Sequence, residues 1–146
     1  MEEQFLSTGQ TLAPTSWSAD GRFLMYMSID PKTDADIWVL PMSGANASPI
    51  GRSQQETAGN AGNRKPFVFL KPPFAKPMAH FRRDGRWVAY HSNESGRPEI
   101  YVRPFVSPGA TGTAAGGQWQ VSTAGGILPL WRSDGKRVGT ELIARR

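Results

Sequence analysis

The chain has 146 residues, the length of one ordinary domain. Its 17 Lys and Arg residues outnumber its 12 Asp and Glu residues, giving a net charge of +5, and 38% of the chain is hydrophobic, which suffices for a packed core and excludes wholesale disorder. It contains no cysteine, so disulfides, cysteine zinc sites and thiol nucleophiles are excluded. No apolar run approaches the roughly 18 residues that a membrane-spanning helix requires, and we predict no membrane span. The 16 Gly and 12 Pro residues predict many turns, and therefore short strands rather than long helices.

An internal repeat organises the chain. An Asp-Gly-basic triplet occurs at residues 20–22, 84–86 and 134–136, at spacings of 64 and 50 residues. Each triplet has an aromatic residue three positions before its Asp and another twelve positions earlier, in the pairs Trp17 and Phe5, Phe81 and Phe69, and Trp131 and Trp119. Agreement at several fixed offsets indicates a structural repeat rather than chance.

One repeat predicts four antiparallel strands. Asp-Gly between two β-rich runs favours a hairpin, since Gly accepts positive φ and Asp bonds the turn backbone. In the second repeat a strand at 86–92, a turn at 93–98 and a strand at 99–102 follow, and the segment at 119–122 supplies a fourth strand. No run keeps a helical period. The polar, Gly-rich stretches 43–65 and 110–117 are predicted to be exposed loops.

Four strands per repeat are typical of a β-propeller blade. We therefore predict an all-β, propeller-like fold with about three four-stranded blades, the last incomplete. Residues 1–146 form a single unit, with repeats at approximately 5–68, 69–118 and 119–146.

The residues of the repeat resemble a known family. Trp17-Ser18-Ala19-Asp20-Gly21-Arg22 and Phe81-Arg82-Arg83-Asp84-Gly85-Arg86 look like the WD40-like (PD40) repeat of TolB-type propellers, although Ala19 and Arg83 replace the usual Pro. Residues 86–105 and 119–136 are similar to propeller segments that follow membrane-tethered bacterial serine/threonine kinases. The resemblance implies a partial propeller, because the family has about six blades. None of the motifs of a kinase is present, so no kinase activity carries over.

An incomplete ring leaves open sheet edges, and such edges promote association. We expect a homodimer in which residues 5–8 of one chain complete the last blade of the other and close one ring. A truncated piece without that assembly is the alternative.

Candidate sites for metal or catalysis are weak in the sequence. His80 and His91 could approach each other on neighbouring strands, but no spacing supplies a third ligand. The acidic stretch 30–36 lacks the Gly and Glu of a calcium loop. We predict no metal, no cofactor and no catalytic residue. The recurring Trp and Tyr residues are predicted to pack between blades (Trp17, Tyr26, Trp38, Trp87, Tyr90, Tyr101, Trp119 and Trp131).

The predicted function is a non-catalytic binding or scaffolding module for a protein or peptide partner, with loops 30–36 and 93–98 at one face of the ring. The candidate binding residues are Asp34, Asp36, Asn93, Glu94 and Arg97. The alternatives are a propeller domain of a hydrolase-type enzyme and a gene fragment without independent activity.

The basic clusters are dispersed along the chain and no nucleic-acid-binding motif accompanies them, so we predict no specific nucleic-acid site. The acidic N-terminus lacks a signal peptide, so the chain as encoded is expected in the cytoplasm, while the family resemblance leaves an extracytoplasmic site open.

Overall fold

The computed structural model describes residues 9–30, 34–42, 65–70, 78–107 and 117–140. These residues form ten β-strands and no helix. The strands are β1 Thr11–Trp17, β2 Phe23–Asp30, β3 Asp34–Pro41, β4 Phe67–Leu70, β5 His80–Phe81, β6 Trp87–Ser92, β7 Glu99–Pro104, β8 Trp119–Gln120, β9 Pro129–Trp131 and β10 Val138–Thr140. Within this part of the chain, nothing has the length and apolarity of a membrane-crossing helix.

The strands form three antiparallel sheets in the order of the repeats. The first sheet has the order β1-β2-β3-β4, the second β5-β6-β7-β8, and the third contains β9 and β10. The fourth strand of the second sheet is Trp119–Gln120, which pairs with β7, as the sequence predicted. The architecture is that of consecutive propeller-type blades, so the predicted fold class is confirmed. Of the predicted loops at 43–65 and 110–117, only Lys65 and Gly117 are described; the rest of both loops and the segment at 5–8 lie outside the described residues.

The Asp-Gly turns have the same geometry in all three sheets. Gly21, Gly85 and Gly135 have φ of 71°, 69° and 67°, which is the left-handed region that glycine occupies most easily. In each turn an Asp Oδ1 accepts the backbone N–H two residues later, at 3.0, 3.0 and 2.9 Å. This closed turn sets the hairpin between the first and second strand of each blade.

The core lies between the first and second sheets. Met25, Ile37 and Val39 of the first sheet are fully buried against Val88 and Tyr90 of the second. The ring of Phe105, just after β7, joins the two sheets at one side of this core. It contacts four other phenylalanine rings, those of Phe23, Phe67, Phe69 and Phe81.

The prediction that every recurring Trp and Tyr packs between blades is right for Tyr90 and Tyr101, which lie in the core between the first and second sheets, and wrong for two tryptophans. Tyr26, Tyr90 and Tyr101 are buried, whereas Trp17 and Trp119 are 50% and 48% exposed. Trp17 lies on the side of the first sheet that is turned away from the second sheet. The aromatic ring contacts between the first and second sheets are instead those of Phe105 with other phenylalanines.

Candidate functional site

The predicted acidic loop is shorter than the sequence indicated. Strand β2 runs to Asp30 and β3 begins at Asp34, and these two residues are register partners. Asp36 is therefore inside β3, half-buried and opposite Ser28, rather than in a loop. The connection at 31–33 lies outside the described residues. Asp36 is thus held at a strand position, where the antiparallel pairing fixes its backbone.

The other three candidates lie in the exposed turn between β6 and β7. Asn93, Glu94 and Arg97 are all exposed. The carboxylate of Glu94 accepts a hydrogen bond from the side-chain amide of Gln118. The guanidinium of Arg97 donates to the carbonyl of Thr123. Both charged candidates are therefore anchored to later segments of the chain, which holds the turn in one conformation.

The buried carboxylate of Glu99, which the sequence analysis did not single out, organises this region. Glu99 is 1% exposed. Its carboxylate accepts from Arg97 Nε at 2.7 Å, from the backbone N–H of Gly125 at 3.0 and 3.1 Å, and from the hydroxyl of Ser122. The Ser122 hydroxyl, with Gly125 and Arg97, outweighs burial and lowers the pKa of Glu99 below its ordinary value.

This ionised carboxylate ties the segment between β8 and β9 to the start of β7. The hydroxyl of Ser122 also accepts the backbone N–H of Ile100 at 2.8 Å, and the N–H of Gly126 donates to the carbonyl of Pro98 at 2.8 Å. Glu99 therefore positions the link from the second sheet to the third. The sequence carried a signal for this role, since Asp36 and Glu99 both precede Ile-aromatic-Val in their repeats.

The two histidines lie on the face of the second sheet that is turned toward the third. His80 pairs with Ala89, and His91 lies two residues further along β6, so the side chains are diagonal neighbours on one face. Burial lowers the pKa of both. Nδ1 of His91 is buried and has no hydrogen-bond partner among the described residues. Across the described ranges, no group of three or more His, Cys, Asp or Glu residues could hold a metal ion.

Consecutive sheets contact each other through equivalent positions of their first strands. The hydroxyl of Ser16 accepts the backbone N–H of Phe81 at 3.0 Å. One repeat later, the carbonyl of His80 accepts Nε1 of Trp131 at 3.0 Å. In each sheet, the penultimate residue of the first strand therefore faces the next sheet of the stack, and the last residue of that strand faces the previous sheet.

The same two positions are uncovered at the outer sheets. Trp17, the last residue of β1, is 50% exposed, and Leu130, the penultimate residue of β9, is 54% exposed. Val68, which pairs with Trp38 on the Trp17 side of the first sheet, is 43% exposed. The two end faces of the stack, here called the apolar faces, therefore carry exposed apolar side chains at complementary positions of the repeat, although Tyr26 and Leu40 on the Trp17 side are buried.

Comparison with solved structures places the chain near a TolB protein. The chain is similar to TolB from Acinetobacter baumannii, with a TM-score of 0.47 and 17% identity, over 93% of this chain and 39% of that one. It therefore spans less than half the length of that protein. No protein-family model matches the chain, and no curated protein sequence matches it. The resemblance of the repeats to the PD40 motif and to kinase-associated propellers thus stays a prediction.

Proposed function

We propose that the chain is a non-catalytic binding module of β-propeller type that engages a protein or peptide partner. The observation that carries the proposal is the rigidity of the turns at both ends of the stacked sheets. At one end the three Asp-Gly turns are closed by side-chain hydrogen bonds. At the other end Glu99 and Arg97 fix the β6–β7 turn. Surfaces that are ordered before binding lose little conformational entropy on association, which favours recognition.

The test is selection of peptides from a random displayed library on the immobilised, folded chain, followed by a binding titration of the selected peptides in solution. We expect saturable binding that is lost when the chain is unfolded with urea. The enzyme alternative is tested in parallel with ester, peptide and glycoside substrates. Saturable turnover of any of these would overturn the non-catalytic proposal, as would the failure of folded protein to retain any peptide.

We also propose that a second copy of the chain covers the two apolar faces of the stack. Where two sheets of the chain contact each other, the last residue of the first strand in the later sheet meets the penultimate residue of the first strand in the earlier sheet. Trp17 and Leu130 occupy these two positions on opposite faces, so two copies placed head to tail would pair Trp17 of each with Leu130 of the other. Two half-rings would then close one propeller.

The dimer is tested by light scattering after size-exclusion chromatography. We expect a mass near twice 16.0 kDa, and Trp17→Glu and Leu130→Glu should each reduce it to the mass of one chain. Val121→Glu is the matched control, because Val121 is 48% exposed but lies just after β8, away from both faces. A wild-type protein that stays monomeric while folded would overturn the proposed assembly.

A further inference from the structure

The two ends of the sheet stack carry opposite charge. The second and third Asp-Gly turns bring together six cationic side chains against the two carboxylates of Asp84 and Asp134, a net of +4 for a chain whose total is +5. We call these six the basic patch: Arg82, Arg83, Arg86, Arg132, Lys136 and Arg137. Among the residues that the structure describes, the opposite end has one cation, Arg97, and five acids at or near the ends of β2, β3, β6 and β7, namely Asp30, Asp34, Asp36, Glu94 and Glu99.

The two basic turns are neighbours in space. The side chain of Arg82 lies over the ring of Trp131, 5.8 Å from its centroid. Its Nε lies 3.2 Å from where a Cβ on Gly135 would stand. Clusters that are 50 residues apart in the sequence therefore form one surface. Five of the six cations are exposed, and Arg82 is half-buried.

Most of this positive charge is not neutralised by the residues that the structure describes. Asp84 and Asp134 each pair with the first Arg of their own turn, Arg82 at 3.5 Å and Arg132 at 3.3 Å. Each of these carboxylates also accepts a backbone N–H of its turn. Among the residues that the structure describes, the remaining four cations of the basic patch have no ion-pair partner: Arg83, Arg86, Lys136 and Arg137.

We propose that the basic patch binds an acidic segment of a polypeptide partner; the inference rests on the proposed binding function and specifies the partner's chemistry. Guanidinium groups bind carboxylates with two parallel hydrogen bonds, and five of the six cations are arginines. An extended peptide with acidic residues at alternate positions places its carboxylates on one face. Such a peptide can align these carboxylates with the unpaired cations and avoid Asp84 and Asp134.

The same surface is less suited to a nucleic acid. The two turn carboxylates interrupt the positive charge, and a continuous phosphate backbone cannot avoid them as a peptide can. Single-stranded nucleic acids also need exposed aromatic faces on which bases stack. At this patch the guanidinium of Arg82 already lies over the ring of Trp131. An acidic peptide is therefore the occupant that the arrangement favours.

The first repeat provides a design for the test. Its turn has Ser18 and Ala19 where the second has Arg82 and Arg83, and it closes in the same way. The double variant R82S/R83A thus gives the second turn a sequence that this fold already accepts. R83A/K136A is a second variant that removes two cations without an ion-pair partner. T11E/T123E is the control, because it lowers the net charge by the same amount at the opposite end, where both residues are exposed and neither is a candidate binding residue.

The experiment measures fluorescence anisotropy of a labelled peptide with glutamate at every second position, added to the folded full chain at low and high salt. We expect salt-sensitive binding that R82S/R83A and R83A/K136A each weaken roughly tenfold, the effect of losing two exposed ion pairs. T11E/T123E should leave the affinity within about twofold of the wild type, because its added charges lie beyond a screening length of roughly 8 Å from the patch.

Other outcomes would overturn the inference. Equal weakening by the control would show attraction by net charge alone, and tighter binding of a single-stranded oligonucleotide of equal charge would identify a nucleic-acid site. Salt-sensitive self-association that excludes the peptide would show that the acidic end of another copy is the occupant. If the peptide library yields non-acidic binders that R82S/R83A does not affect, the inference fails while the proposed binding function stands.

Discussion

Replacing Phe105 with alanine tests how the first two sheets are held together. Phe105 is 8% exposed, and its ring makes edge-to-face contacts with Phe81 and Phe23 at centroid distances of 4.9 and 5.2 Å. Truncating a buried Phe costs about 3–5 kcal/mol of unfolding free energy, and each edge-to-face pair adds about 0.5–1.5 kcal/mol to plain burial. We therefore expect a loss in the upper half of the first range, measured by urea unfolding monitored through tryptophan fluorescence.

Such a loss is large for a domain whose total stability is typically about 5–15 kcal/mol. Phe105→Leu keeps most of the apolar volume and should cost roughly 1–1.5 kcal/mol. Trp119→Ala removes a larger side chain that is 48% exposed, and it should cost less than F105A. If F105A costs under about 1 kcal/mol, or if W119A costs as much, Phe105 is not the centre of the contact between the sheets.

Three other perturbations test the turns, the buried carboxylate and the histidines. Gly85→Ala should lower the free energy of unfolding in urea by about 1 kcal/mol because Gly85 has a positive φ; steric overlap adds nothing, since no atom lies within 4 Å of the added Cβ. Gly85→Asn should lower it less, because Asn accepts positive φ more easily. Equal losses for the two variants would contradict this reason. Glu99→Gln should increase hydrogen exchange at the amide of Gly125, which donates to both oxygens of the carboxylate; unchanged protection would show that the link is held by other contacts. Because burial lowers the pKa of His80 and His91 from 6.5, the unfolded chain binds more protons just below that pH, so the unfolding free energy should fall as the pH drops through 6.5. The variant H80Q/H91Q should flatten that fall, and an unaltered pH profile in urea unfolding would assign it to other groups.

Local signals in the sequence predicted the strands and their order well. Asp-Gly followed by a basic residue predicted three hairpin turns, and all three glycines have positive φ. The aromatic at Trp119 predicted a strand that completes the preceding sheet, and β8 pairs with β7 as expected. These predictions succeed because turn chemistry and strand alternation act over a few residues.

The site residues were harder to predict because their neighbours come from distant segments. Glu99 and its partners Ser122 and Gly125 are more than 20 positions apart in the chain, so the buried carboxylate could be inferred only by comparing it with Asp36 in the first repeat. Asp36 was assigned to a loop, but the register that extends to Asp30 and Asp34 places it in a strand. How far an antiparallel pair extends depends on the partner strand as well as on local residues.

The amino-acid sequence by itself determined the repeat, the turns and the all-β class, because each depends on residue types at short, fixed spacings. Only the tertiary structure decided which aromatic residues are buried, because burial depends on which sheet packs against which face: Phe105 lies between two sheets, whereas Trp17 and Trp119 remain half-exposed. It also decided that the arginines of two separate repeats form one basic surface. Charges that are dispersed along the chain become neighbours when equivalent turns of successive sheets are stacked on the same side.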